Sequence, residues 1–205
     1  MNLDNIIIEE LEKKLFLKEF LTPNECDEFY KKISSYLANR SKVETFYNNL
    51  DETISFLEKL GLDYRSIITS IYNWPAIIHS DKKALLDKVL LIRSIEGKGI
   101  SNINSIDIIV NHPKDLMTGI DTIYARIQFF LSDASKDVTR KDAITRRKLF
   151  KITNSEFENS YFISKDQLIS NYPYTEKIEN YIRSLEINKD IVDKFNKKDD
   201  NIKLS

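Results

Sequence analysis

The sequence predicts an all-α protein. Three observations carry that expectation. The chain has four glycines and four prolines in 205 residues, where average usage would supply about 25. Its apolar residues recur at three- and four-residue intervals, and helix-start signals stand at the heads of those runs. Sandwiches and barrels use Gly and Pro in many turns, so their scarcity favours helices joined by polar loops. Hydrophobic residues at 41% and charged residues at 31% suffice for a core and exclude disorder throughout. A chain of this length makes one domain, or two small apposed ones.

Residues 4–21 read as an amphipathic helix with Ile7, Leu11, Leu15, Phe16 and Phe20 on one face. Thr22-Pro23-Asn24-Glu25 then places a hydroxyl at the N-cap, proline at the first helical position and a carboxylate at N3, the capping-box pattern. That helix should run through Phe29, Ile33 and Leu37 to about Asn39. The next, from about Ser41 to Leu60, should bury Val43, Phe46, Leu50, Ile54 and Leu57 and stop at Gly61.

A repeat follows. When Pro75 is aligned with Pro113, 38 residues later, Gly61 falls on Gly99, Leu62 on Ile100, and the N-cap candidates Asp63 and Ser101 coincide. Ile68 pairs with Ile106, Ile71 with Ile109 and Asn73 with Asn111; beyond the proline Ile78 pairs with Leu116, Leu85 with Ile123, Val89 with Ile127 and Ile92 with Phe130. Each unit, 61–95 and 99–133, reads as glycine break, helix, proline-marked turn, second helix. A period of this size means stacked helical hairpins sharing a continuous core. The expected architecture is therefore a short α-solenoid: an N-terminal helical cap over 1–60, two tandem repeats over 61–133, a basic helix and a degenerate third repeat over 134–193, and a flexible tail over 194–205.

Gly61-Leu62-Asp63, Ile67-Ile68, Ile71, Trp74-Pro75, Ile77-Ile78 and Leu85-Leu86-Val89, repeated as Gly99-Ile100-Ser101, Ile106, Ile109, His112-Pro113, Leu116 and Ile123-Ile127, resemble the repeats of the mitochondrial transcription termination factor family. Ile163-Ser164-Lys165-Asp166-Gln167-Leu168-Ile169 before Tyr172-Pro173 looks like a third, shortened unit. The resemblance implies a curved helical solenoid whose concave basic face holds double-stranded nucleic acid through its phosphates. In this chain residues 61–133 are neutral, with eight Lys/Arg and eight Asp/Glu.

Charge is concentrated elsewhere. The net charge is −1, yet residues 134–152 hold Lys136, Arg140, Lys141, Arg146, Arg147, Lys148 and Lys151 against Asp137 and Asp142, a surplus of five positive charges. Placed on a helix over Val138–Ile152, Arg140, Arg147 and Lys151 share one face, flanked by Arg146 and Lys148, with Ala143, Ile144 and Phe150 as a broken apolar face. Arg140, Lys141, Arg146, Arg147, Lys148 and Lys151 are thus the candidate phosphate contacts, the alternatives being a solvated face or an acidic protein partner.

Catalysis has no visible seat. Four scattered glycines make no phosphate loop, and no Ser-His-Asp or Cys-His set has meaningful spacing. His79, Asp81 and His112 have the residue types of a two-histidine, one-carboxylate iron site, and Leu21–Asp27 looks like the opening of some prolyl-hydroxylase-like oxygenases. Those enzymes need a β-barrel, which this sequence does not pattern, so both histidines are expected beside the repeat prolines and no metal or cofactor is expected. Trp74, Tyr161-Phe162 and Tyr172-Pro173-Tyr174 are candidates for core packing or for stacking on bases. Cys26 is expected as a buried apolar side chain. No apolar run approaches the ~18 residues a membrane span needs. Residues Met1–Glu10 carry three acids and no Lys or Arg, unlike a signal or transit peptide, and a cytoplasmic location is expected. The sequence thus supports a non-enzymatic helical-repeat regulator that binds nucleic acid, or alternatively a protein-interaction module acting as a small regulator or inhibitor.

Overall fold

The computed structural model describes residues 3–38, 40–96, 103–132 and 144–197. Among these the regular structure is helical and no strand forms. No helix among them is long and apolar enough to cross a membrane. The chain divides into two compact units, the first comprising 1–82 with 109–114, the second 83–108 with 115–205.

In the first unit, α1 (Leu3–Leu15) and α2 (Leu17–Phe20) replace the single helix expected over 4–21. The break is Phe16, whose φ of 50° is left-handed. In an unbroken helix residues 15 and 17 lie about 200° apart and cannot face one core. The break lets Leu15 and Leu17 both bury completely, while Phe16 stays 45% exposed with its ring edge-on to Tyr64 at 5.5 Å. α3 (Pro23–Tyr36) starts on the expected capping box: the Thr22 N–H donates to Glu25 Oε2 at 2.8 Å and the Glu25 N–H to Thr22 Oγ1 at 3.4 Å. α4 (Arg40–Lys59) buries Val43, Phe46, Leu50, Ile54 and Leu57. It ends on Gly61, where φ is 95°, a conformation that strains any residue with a Cβ; the Gly61 and Leu62 amides return to the Glu58 and Leu57 carbonyls. α5 (Tyr64–Asn73) is capped by Asp63, which accepts from the Ser66 N–H at 2.8 Å.

After α5 comes Trp74 and a 3-10 turn over Pro75–His79, then α6 (Lys82–Arg93). After α7 (Ser105–Asn111) comes His112 and a 3-10 turn over Pro113–Met117, then α8 (Ile120–Leu131). The helix ends, the proline turns and the 12-residue second helices all recur at the 38-residue offset.

The starts differ. The N-cap expected at Ser101 lies, with Gly99 and Ile100, outside the described residues; α7 begins at Ser105, and Asn104 Oδ1 takes the capping role by accepting the Asp107 N–H at 2.9 Å. Its anchor is tertiary: Ile103 is buried, and the Ser105 N–H donates to the Glu96 carboxylate. Starting later, α7 turns Ile108 and Ile109 inward and leaves Ile106 half-buried, contrary to its expected place in the core.

In the second unit, α9 (Asn154–Tyr161) and α10 (Lys165–Asn171) start on capping boxes built by Thr153 with Glu156 and Ser164 with Gln167. They close an apolar cluster of Ala125, Phe129, Phe157 and Leu168. α11 (Glu176–Ser184) and α12 (Glu186–Asn196) complete the unit, so the segment from Lys194 to Asn196 extends a helix and the rest of the expected tail, from Lys198 on, lies outside the described residues. Asn188 is fully buried and donates to the carbonyls of Leu90 at 3.2 Å and Ile182 at 2.8 Å.

Candidate functional site

The helix expected over Val138–Ile152 is a different object where it is described. Val138–Ala143, and with them Arg140 and Lys141, lie outside the described residues. Ile144 and Thr145 are not helical, and the helical structure among the described residues of this segment is a π turn over Arg147–Lys151. Its geometry follows from what its backbone and charges are bound to.

Arg146 and Lys151 converge on one carboxylate. Asp115, in the second proline turn, has a side chain only 2% exposed; Arg146 Nε approaches its Oδ2 at 2.5 Å and Lys151 Nζ its Oδ1 at 2.7 Å. A buried carboxylate is costly unless paired and hydrogen-bonded, so these two cations neutralise the fold itself. Lys148 lies over the Phe130 ring, with Nζ 5.2 Å from its centroid. Arg147 is exposed, as a phosphate contact requires. Of the six candidates, therefore, two hold a structural ion pair, one packs on an aromatic ring, one faces solvent and two lie outside the described residues.

Arg126, absent from the sequence candidates, organises the turn from beneath. It is 3% exposed; one Nη donates to the Leu149 carbonyl at 2.8 Å and the other to the Ile152 carbonyl at 3.1 Å and Asn154 Oδ1 at 3.3 Å. These carbonyls are the ones a short turn leaves without backbone donors. A signal for Arg126 existed in the repeat: Lys88 lies 38 residues earlier, and its Nζ donates to the Leu116 carbonyl of the second proline turn at 2.6 Å. In both second helices a cation at the same position thus caps a turn that follows later in the chain. Burial lowers the pKa of both groups.

The aromatic candidates pack. Trp74 is 8% exposed, the Tyr161 ring lies 4.6 Å from that of Phe157, Tyr174 meets Tyr124 at 5.4 Å, and the Tyr172 hydroxyl donates to Ser132 Oγ at 3.1 Å. Phe162 is the exception: it closes α9 in the left-handed region and is 86% exposed. His79 packs between the rings of Tyr36 and Phe46, at 5.8 and 6.3 Å. No cluster of His, Cys, Asp and Glu among the described residues has a metal-binding arrangement. Cys26 is buried, and burial raises its thiol pKa. Compared with protein-family models, curated proteins and solved structures, the chain matches none.

Proposed function

We propose that the protein is a non-enzymatic regulator, built from two tandem helical hairpins, that contacts the phosphates of nucleic acid through the segment after α8. The observation that carries this reading is the surplus of five positive charges over 134–152, together with the exposure of Arg147. The recurring helix–proline turn–helix order supports the hairpin repeat, as does the bonding of α5 to α7 inside the first unit. There Ser70 Oγ donates to the Ile109 carbonyl at 2.7 Å and Asn73 Nδ2 to the Val110 carbonyl at 3.0 Å.

Because Arg146 and Lys151 serve Asp115 and Lys148 packs on the Phe130 ring with its Nζ buried, the contacts fall to Arg140, Lys141 and Arg147. The affinity for duplex DNA should then fall with salt at a log–log slope of about −2 to −3, at roughly −0.9 per phosphate. Replacing Arg140, Lys141 and Arg147 with Glu should abolish binding in a filter or anisotropy assay. Arg147→Glu alone, at an exposed position, should leave stability within about 0.5 kcal/mol. Absence of binding to duplex DNA, RNA and single strands at low salt would defeat the reading.

A second reading, a protein-docking module, draws on the exposed apolar side chains of the second unit, Phe162 at 86%, Met117 at 68% and Tyr181 at 63%. Capture of a partner that survives nuclease and is lost with Phe162→Asp would favour it.

A further inference from the structure

Three charged groups are buried among the described residues: Asp87, Asp115 and Arg126. Asp87 is paired with Arg183, and Asp115 with Arg146 and Lys151. Arg126 alone meets only neutral groups: the Leu149 and Ile152 carbonyls, the Asn154 amide oxygen and the face of the Phe157 ring, 5.0 Å away. Its Nε is buried without a hydrogen-bond partner. Taking a cation out of water without a counter-charge is expensive.

Arg126 lines a cleft of about 360 Å³ whose walls include Thr118, Gly119, Thr122, Thr153, Asn154 and Lys165, with no acidic residue among its lining. The cleft lies at the N-terminus of α8, a helix of 12 residues whose N-cap is Gly119 and which no side chain caps. Glycine is not demanded there by the backbone, since φ is −61° and ψ 140°. A Cβ would meet nothing nearer than Thr122 Oγ1, at 4.0 Å. What a glycine does at this position is leave the first-turn N–H groups open, at the positive end of the helix dipole. The neighbouring N-caps Thr153 and Ser164, by contrast, both carry a side-chain cap.

We infer that this cleft is an anion site for a phosphate group, free or as a monoester. The phosphate oxygens accept from the first-turn amides of α8 and from the Thr118 and Thr122 hydroxyls. Arg126 supplies the buried positive charge and Lys165, exposed at the rim, a second. The inference goes beyond the nucleic-acid reading and does not rest on it, because the site uses none of Arg140, Lys141 or Arg147.

Titration calorimetry of the full chain with inorganic phosphate and with glycerol phosphate, at ionic strength fixed by chloride, tests it. The wild type should bind at least one of the two, and which one identifies the free ion or the ester as the source. Lys165→Ala should weaken binding by about threefold to tenfold. Gly119→Asp, which supplies the missing cap and places a carboxylate where the anion sits, should abolish binding while raising the thermal midpoint in the absence of phosphate. If the aspartate variant does not fold, Lys165→Ala decides. Failure of the wild type to bind either probe, or unchanged affinity in the folded variants, overturns the site. Loss of DNA binding in the Arg140, Lys141 and Arg147 triple variant leaves it standing.

Discussion

The two units bury different chemistry. The first has an aliphatic and aromatic interior whose buried polar residues, among the described ones, are Thr53 and Ser70, their hydroxyls both turned to backbone carbonyls. The second buries Asp87, Asp115 and Arg126 as well as Asn188. The difference tracks the backbone. In the first unit the longer helices α1, α3 and α4 satisfy most of their own amides and carbonyls, and the polar help is only partly buried: Lys82 Nζ donates to the Ile77, Ile78 and Ser80 carbonyls of the proline turn and Asn73 to that of Val110. In the second, short turns and helices of seven to 12 residues leave many carbonyls outside regular ladders, and buried cations and an amide satisfy them.

Substitutions can break this contrast, the largest first. Arg126→Met strands the Leu149 and Ile152 carbonyls and should cost about 3 to 5 kcal/mol in denaturant unfolding. Ile71→Ala removes a fully buried side chain of the first unit and should cost about 2 to 5 kcal/mol, as a cavity rather than a polar defect. The two are separable by chemistry: Ile71→Val should recover most of its loss, whereas Arg126→Lys should recover little, because an ammonium lacks the planar fork that spans two carbonyls. Full recovery by Lys would mean that charge alone, not geometry, holds the turn.

Arg146→Ala leaves Asp115 with Lys151 only, and should cost about 1 to 3 kcal/mol. An Arg146→Glu change is therefore a test of folding before it is a test of binding.

The smallest effect is one the units share. Glu25 and Glu156 each accept the backbone N–H of their N-cap threonine, which lowers the pKa below the ordinary 4.5. A carboxylate with a depressed folded pKa adds stability that is present above pH 4.5 and lost as the pH falls through the lower folded value. Glu25→Gln and Glu156→Gln should each flatten the acid limb of the stability curve. An unchanged acid limb in either variant would show that its cap carboxylate adds no pH-dependent stability.

Much of the helical framework was legible in the chain. The Thr22–Glu25 box, the Gly61 stop and the 38-residue spacing of the proline turns are local matters: propensity, capping and sterics act within a few residues of the signal. The break at Phe16 was not legible, because it arises from a core that takes both Leu15 and Leu17. The retreat of the α7 start to Ser105 needed Glu96, nine residues earlier. The basic segment reads as one cationic face while its residues are counted along the chain. Asp115 and Arg126, 31 and 20 residues before Arg146, reapportion it.

The sequence by itself determined that the chain is helical and where most of its helices end, since those choices are made by short-range periodicity and caps. Only the tertiary structure decided which charges are ligands for the fold and which are left facing outward. A cation's role depends on the buried carboxylate or carbonyl it reaches, and those partners are set by packing between distant segments, not by the neighbours of the cation in sequence.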